Sequence, residues 1–393
     1  MNQDLRTLFP GVSRRIYLDV SAQGLVPQPV RDAVDTYLDE AMLGGGEKAR
    51  MHAMVEETRI AFAALIGAFP DEIAITKNVS EGLNLFAASL PWERGDNVVI
   101  CPGLEHPNNI YLWYNLERLR GIEVRAVPPA DGHMPAAAMA AAMDRRTRVV
   151  TFPSVSFAPG FVTDVATLVD AARSVGALTL MDAAQSVGAL RTHVRHLGID
   201  ALAVATQKCL LGLYGFAFLY VRREVAESLI PIQVARYGID LGDAHETAFA
   251  TGELRYQKGA RRFDLGNYNY LGAAAARAAL RLIEWIGMDR IEPHVRGLAA
   301  DLASGLLELG LPVVGGAPDA HLAHIVSVGA LGDGRHDTSD DPLMNDLFEF
   351  LTRRDVRLSI RSGVLRFSLG VYNDHNDVER VIALARAWRG ERV

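Results

Sequence analysis

Between residues 70 and 222 the chain alternates short apolar runs with stretches of helical periodicity. The runs lack the polar alternation of a half-exposed strand, so they fit strands that are covered on both faces. Strands that alternate with helices predict a mostly parallel sheet with right-handed crossovers. The predicted strands are 73–76, 98–101, 123–127, 149–152, 178–181, 201–204 and 216–221, and the predicted helices between them are 80–89, 107–119, 135–143, 164–175 and 223–229.

The flanking segments have a different character. Residues 13–65 are mainly helical in pattern, and after about 260 long Ala/Leu-rich helices mix with short strands. That later part has helices predicted at 270–286, 288–309, 342–353 and 375–389, and strands near 312–314, 323–328, 356–360 and 365–369. We therefore expect a large α/β domain over 66–265, a smaller α+β C-terminal domain over 266–393, and an N-terminal segment, 1–65, that packs on both.

Composition excludes several classes of protein. A net charge of -7 with both signs mixed along the chain argues against nucleic-acid binding, which requires a basic surface. The two cysteines exclude a disulfide framework. No apolar window reaches the length of a membrane helix, and residues 1–15 lack a signal-peptide core. We expect a cytoplasmic protein that binds neither nucleic acid nor membrane.

The histidine pairs HLAH and HVRH lack a third ligand, so no metal site is predicted.

The strongest chemical signal lies at the ends of two successive predicted strands. Asp182 follows the run 178–181, and Lys208 follows the run 201–204. The carboxyl ends of strands in an open α/β sheet face a ligand crevice. A carboxylate and an amine there suit pyridoxal phosphate: the amine forms a Schiff base with the aldehyde, and the carboxylate pairs with the pyridinium nitrogen. The alternative is a structural ion pair at the sheet edge.

Three further features favour the same cofactor, although each has a structural alternative. The stretch from Asn78 through Val79 and Ser80 begins a helix and could bind a phosphate, or it is a plain N-cap. His106 follows a predicted strand and could lie flat on an aromatic ring, or it is structural. Arg366 lies among apolar strand residues and could bind a carboxylate bidentately, or it is a solvated strand residue; Arg361 is a second candidate of lower rank.

Taken in order, these motifs resemble the class V aminotransferase group of fold-type I pyridoxal-phosphate enzymes, which includes cysteine desulfurases, selenocysteine lyases, isopenicillin N epimerase and kynureninase. The resemblance runs from the Tyr17-Leu18-Asp19 motif almost to the C-terminus. It implies the fold-type I transferase architecture, with a mostly parallel seven-stranded sheet in the large domain, and a homodimer with active sites at the interface.

The resemblance also implies a role for each matching residue. Lys208 is the Schiff-base lysine, Asp182 the partner of the pyridinium nitrogen, and His106 the histidine that stacks on the ring. Gln185 donates to the ring hydroxyl, and Arg366 binds the substrate carboxylate. Asn267 lies where related enzymes place a threonine of the neighbouring subunit on the phosphate. The implied cofactor-binding set is Val79, Ser80, His106, Asp182, Gln185, Gln207, Lys208 and Asn267.

Three departures from the family pattern bear on the reaction. The stretch 359–365 has no cysteine where desulfurases carry the catalytic one, and Cys101 and Cys209 lie elsewhere. Gln207 replaces the histidine that precedes the lysine in desulfurases, so one proton carrier is missing. Phe157 replaces an asparagine that often binds substrate, which predicts a more apolar pocket. We therefore expect no cysteine desulfurase activity.

The expected activity is pyridoxal-phosphate chemistry on an amino acid or amine, with Lys208 removing the α-proton. Transamination ranks first because it needs no additional group. Epimerisation would require a second base, which the sequence does not identify, and β-elimination ranks third. The alternative of a different kind is a catalytically silent pyridoxal-phosphate protein.

Overall fold

A computed structural model describes residues 3–242, 254–332 and 337–392. The α-helices within these ranges are α1 Gln3–Thr7, α2 Gln28–Gly44, α3 Lys48–Ile66, α4 Val79–Ser89, α5 Tyr111–Arg120, α6 Ala136–Ala141, α7 Val165–Val175, α8 Val194–Leu197, α9 Arg223–Ser228, α10 Tyr270–Ile286, α11 Met288–Glu308, α12 Pro342–Thr352 and α13 His375–Gly390. The strands are β1 Ile16–Tyr17, β2 Ile73–Thr76, β3 Asn97–Ile100, β4 Glu123–Ala126, β5 Thr147–Pro153, β6 Leu178–Asp182, β7 Ala201–Ala205, β8 Ala217–Val221, β9 Ile325–Val328, β10 Val356–Arg357, β11 Ser359–Arg361 and β12 Val364–Ser368.

Seven strands form the central sheet in the order β2-β8-β7-β6-β5-β3-β4. The strand β8 is antiparallel to both of its neighbours, and the other pairings are parallel. Strands in the middle of this sheet, such as β7, are buried along their whole length, as the wholly apolar runs predicted. The prediction of a mostly parallel seven-stranded sheet is therefore confirmed.

Strand direction places the chemistry at one edge of this sheet. Because β2 and β7 both run opposite to β8, β2 runs the same way as the parallel strands. The carboxyl ends of β2, β3, β5, β6 and β7 therefore meet at one edge. In open α/β sheets this edge forms the ligand crevice.

A second, three-stranded antiparallel sheet has the order β11-β12-β9. One face of it packs with α11, α12 and α13 in an apolar core that includes Leu302, Leu347, Phe367 and Val381. The short strand β1 pairs in parallel with β10, and Asp19 forms an isolated bridge with Ser368. The beginning of the chain is thus attached to the C-terminal sheet.

The structure differs from the sequence prediction in local detail. The predicted helix 107–119 is a 3-10 turn, Pro107–Asn109, followed by α5. The predicted strand 356–360 divides into β10 and β11 because the two halves pair with different partners, β1 and β12. The predicted strand 312–314 contributes a single isolated bridge, from Val313 to Val328.

Helix α10 packs against α2 and α3 and contributes Ala273 and Ala276 to the core beneath the large sheet. Small alanine side chains allow this close helix packing. Helix α10 lies in the stretch assigned by sequence to the C-terminal domain, and the three-part division of the chain stays a prediction.

Among the residues described, no helix combines the length and apolar character that a membrane span requires. The same part of the chain contains no group of three or more His, Cys, Asp or Glu side chains that could hold a metal ion.

Candidate active site

Asp182 and Lys208 follow adjacent strands at the crevice edge. Asp182 is the last residue of β6, and Lys208 lies three residues beyond the end of β7. The loop that holds Lys208 is fixed by hydrogen bonds from Leu211 N to Lys208 O (2.9 Å) and from Gly24 N to Gln207 O (2.8 Å). A Cβ atom on Gly24 would lie 2.4 Å from the Lys208 carbonyl oxygen, so this close approach requires glycine.

Asp182 and Lys208 act on each other electrostatically. Burial lowers the pKa of Lys208, and the nearby Asp182 carboxylate opposes that change. Burial raises the pKa of Asp182, opposed by a hydrogen bond from Ala184 N (2.9 Å) and by the Lys208 charge. A lysine with a lowered pKa has a larger neutral fraction, which is the form that attacks an aldehyde.

His106 lies beyond the carboxyl end of β3. Partial burial, together with the charges of Lys208 and Arg366, lowers the pKa of His106 to about 4, although the residue retains exposed surface. Its Nδ1 accepts a hydrogen bond from Asn108 N (3.2 Å), and its ring meets Phe157 edge-on with centroids 5.8 Å apart. A neutral imidazole held in this way presents an aromatic surface to the crevice.

Glu105, next to His106, was not singled out by the sequence. It is buried, and its Oε1 accepts a hydrogen bond from Asn109 Nδ2 (2.9 Å), which also donates to Thr151 Oγ1 (2.8 Å). Burial and the neighbouring Asp182 charge raise the pKa of Glu105 well above its ordinary value. Both effects favour the protonated, uncharged form of Glu105 beside Asp182.

Arg366, on β12, is almost wholly buried and held by three groups. Its guanidinium donates to Ser359 Oγ (3.2 Å) and Phe157 O (3.0 Å) and forms an ion pair with Asp19 (3.5 Å). Burial lowers the pKa of Arg366 to about 10, opposed mainly by Asp19. These contacts fix the guanidinium beside Phe157, and an arginine fixed in this way could bind a carboxylate. Asp19 was missed as a functional residue because its partner lies at the far end of the chain.

The amino end of α4 offers an anion site. Asn78 caps the helix by accepting a hydrogen bond from Glu81 N (2.8 Å). Among the described residues, the N–H groups of Val79 and Ser80 have no recorded acceptor, and the Ser80 side chain is half-buried. Unpaired N–H groups at the positive end of a helix favour a phosphate.

The remaining predicted residues take different positions. Gln185 is buried; its Nε2 donates to Ser21 O (3.1 Å). Gln207 is half-buried beside Lys208. Asn267 lies exposed on the loop before α10, and no recorded contact joins it to Lys208 or Asp182. Its expected role concerns a neighbouring subunit and stays a prediction.

These residues fit pyridoxal phosphate. Two buried polar atoms near the lysine loop, Gln185 Oε1 and Ser21 Oγ, have no hydrogen-bond partner among the described residues. Buried polar atoms are ordinarily paired, so unpaired ones at a crevice indicate a polar ligand. The cofactor would have Lys208 for its aldehyde, Asp182 for its ring nitrogen and the amino end of α4 for its phosphate.

Both cysteines are buried and unsuited to nucleophilic chemistry. Burial raises the pKa of Cys101 and of Cys209 to about 12. Cys209 Sγ lies 3.6 Å from Nε2 of the fully buried His324. Burial and the charges of Arg366 and Lys208 lower the pKa of His324 to about 3. Since the thiolate is the nucleophilic form, neither cysteine is activated in this structure.

His324 predicts a pH dependence of stability. Its pKa is lower in the folded chain than the ordinary 6.5, so the unfolded chain binds more protons below pH 6.5. Stability is therefore present above that pH and is lost as the pH falls toward about 3. We expect protonation of His324 to make the unfolding free energy at pH 4 roughly 3 kcal/mol lower than at pH 7.

Urea unfolding at pH 7, 6, 5 and 4 measures this effect. The His324→Gln variant should lose less stability on acidification than the unmodified chain. The His375→Gln variant changes a histidine with a 71% exposed side chain and should follow the unmodified chain. Equal pH slopes for all three proteins would contradict the assignment.

Comparison with known proteins gives one consistent result. The family model for aminotransferase class-V matches residues 16–381. The uncharacterized aminotransferase YcbU of Bacillus subtilis is 30% identical over 97% of this chain and 96% of its own length. A probable cysteine desulfurase of Pyrococcus abyssi is 30% identical over 97% of this chain and 96% of its own length.

Solved structures agree on the fold. An apo cysteine desulfurase from Thermococcus onnurineus superposes with a TM-score of 0.84 at 27% identity, covering 99% of this chain and 98% of that one. A mutant of C-DES with glycine covalently linked to its PLP cofactor gives a TM-score of 0.86 at 24% identity, covering 97% and 98% of the two chains.

Proposed function

The chain belongs to the class-V aminotransferase family of pyridoxal 5'-phosphate enzymes, and on that premise we propose that it is an aminotransferase acting on an amino acid. The observation that supports this most is the grouping of Lys208, Asp182, His106 and Arg366 around one crevice, with no activated thiol among them. This set supplies an amine, a carboxylate, an aromatic surface and a carboxylate-binding fork, which is what transamination requires.

Each residue has a proposed task. When bound, pyridoxal phosphate supplies an electron sink for charge that develops at the substrate α-carbon. Lys208 Nζ would hold the cofactor and, once released by the substrate amine, accept the proton from the α-carbon. The Asp182 carboxylate would keep a proton on the ring nitrogen. His106, neutral near pH 7, would cover the ring without adding charge, and Arg366 would orient the α-carboxylate.

The absence of an activated thiol separates this proposal from desulfuration. Relatives named as probable cysteine desulfurases share about 30% identity with the chain, so the family alone leaves that activity open. Persulfide formation requires a thiolate that reaches the substrate sulfur. In the described part of the chain, Cys101 and Cys209 are both buried and protonated, and 359–365 contains no cysteine.

The test is incubation of the cofactor-loaded protein with L- and D-amino acids, with and without a keto acid. Transamination predicts one equivalent of keto acid per site in the first half-reaction, without ammonia, and continued turnover when an acceptor keto acid is added. Solvent deuterium uptake with loss of chirality would establish epimerisation instead, and keto acid with ammonia would establish elimination. No spectral response to any amino acid would favour a silent protein, and sulfur bound to the protein would establish desulfuration.

We also propose a cytoplasmic homodimer in which Asn267 of one subunit lies near the α4 phosphate site of the other. The exposed position of Asn267 supports this, because the residue has no recorded contact with the crevice of its own chain. Analytical ultracentrifugation of the cofactor-loaded protein measures the subunit number, and a monomer at micromolar concentration would contradict the proposal.

A further inference from the structure

The antiparallel pair β11–β12 places two arginines on one face. Its register sets Ser359 opposite Arg366 and Arg361 opposite Val364. Residues directly opposite each other, and residues two apart along a strand, share a face. Arg361 therefore lies on the same face as Ser359, and hence on the face that presents Arg366 to the crevice.

The two arginines differ in how firmly they are held. Arg366 is almost wholly buried and donates to Ser359 Oγ and Phe157 O. The Arg361 side chain is 22% exposed, and both of its recorded hydrogen bonds leave from Nη1, to Asp337 Oδ1 (2.6 Å) and to Ile360 O (2.6 Å). Within the described ranges, Nε and Nη2 of Arg361 have no recorded acceptor.

The positive charge of Arg361 affects other ionisable side chains of the crevice. After burial and larger effects, it contributes to lowering the pKa of Arg366, of Lys208 and of His106, so its guanidinium is within electrostatic range of all three. Two arginine side chains, Arg361 and Arg366, at one partly enclosed site attract an anion with more than one negative charge. The Phe157 ring beside His106 makes that side of the crevice apolar. A second anionic group on a ligand would therefore bind on the opposite side, next to β11.

We propose, building on the function proposed above, that the substrate is an amino acid whose side chain carries a second carboxylate, of the aspartate or glutamate type. Arg366 binds the α-carboxylate, and Arg361 binds the distal carboxylate through Nε and Nη2. An arginine edge with two available N–H groups matches a carboxylate bidentately, and this geometry disfavours a neutral amide of the same shape.

The experiment compares glutamate with glutamine and aspartate with asparagine, because each pair differs in charge and hardly in shape. The concentration that half-saturates the spectral change of the cofactor-loaded protein is measured for each amino acid. Loss of a charge-assisted hydrogen bond predicts a preference for the acid over the amide of about 10- to 100-fold. Arg361→Gln should bring that ratio close to one. Because the measurement is a ratio, a general loss of affinity cancels.

Arg353→Gln is the matched control. It makes the same change on the surface, where the Arg353 side chain is 65% exposed and pairs with Glu349. The preference should be unchanged in this variant. Equal half-saturation by acid and amide in the unmodified protein, or a preference that survives Arg361→Gln, would overturn the proposal.

Glutarate binding, measured by calorimetry on the cofactor-loaded protein, separates this inference from the proposed function. Glutarate has two carboxylates and no amine, so it tests the two arginines without any reaction. Binding that weakens about 10-fold or more in Arg361→Gln supports the two-arginine site even if no amino acid is transaminated. No glutarate binding, in a protein that transaminates amino acids without preferring the acids, would overturn the inference and leave the proposed function standing.

Discussion

Replacement of Lys208 by alanine should abolish covalent attachment of the cofactor and reduce turnover by at least about 10³-fold. Both effects follow from loss of the same atom, because Nζ is the proposed nucleophile for the aldehyde and the proposed acceptor of the α-proton. Positioned proton transfer alone contributes about 10²–10⁴-fold to a rate. The carbonyl of residue 208 stays in place to accept the Leu211 N–H, so the loop should keep its conformation.

Borohydride reduction followed by peptide mass analysis measures the attachment, and initial rates measure turnover. The unmodified protein should carry the reduced cofactor on the peptide that contains Lys208. Lys258→Ala, a change at an exposed lysine outside the crevice, should label and turn over like the unmodified protein. Labelling at another lysine, or unimpaired turnover by Lys208→Ala, would refute the assignment.

The second large effect concerns stability. Asp264 is buried and accepts hydrogen bonds from Ile75 N (2.8 Å), Arg59 Nη2 (2.7 Å) and Tyr268 OH (2.9 Å). Arg59, on α3, is wholly buried and also donates to the Ile73 carbonyl. Asp264→Ala would leave the Arg59 charge buried without its main partner. Removing one member of a buried ion pair costs about 3–5 kcal/mol.

Urea unfolding at pH 7 measures this loss. The control is Glu57→Ala, which removes a half-exposed carboxylate on α3, the helix of Arg59. Glu57 pairs with Arg277 (2.9 Å), and its loss should lower the unfolding free energy by less than about 1 kcal/mol. An unfolding midpoint for Asp264→Ala equal to that of the unmodified chain would contradict the prediction.

The central sheet was predictable from sequence because local pattern and burial agree there. Each wholly apolar run is a strand covered on both faces. The predicted strand 123–127 is the exception: it contains Glu123 and Arg125 and forms the partly exposed edge strand β4. The C-terminal sheet was less predictable. Whether 356–360 is one strand or two depends on β1 and β12, and neither pairing partner has a signature in that stretch.

The candidate site likewise contains residues that could be predicted from the sequence and residues that could not. Asp182 and Lys208 could be placed at one crevice because both directly follow strands of the same sheet. Asp19, Glu105 and His324 could not be assigned in that way. Their effects come from burial and from side chains far away in sequence: Asp19 on Arg366, Glu105 beside Asp182, and His324 against Cys209. The sequence gives the type of each residue but not its burial or its distant partners, so these contacts could not be predicted from it.

The bridge between Asp19 and Ser368 has a consequence for biosynthesis. A ribosome releases the chain from its amino end, so the partners of Asp19 on β12 emerge only after every strand of the large sheet has emerged. The large sheet can form earlier, because its strands end at Val221. A nascent chain arrested before β12 should therefore contain the lysine loop but no arginine subsite. Arg366, the proposed substrate-binding residue, would then be added to the site only after the large sheet exists.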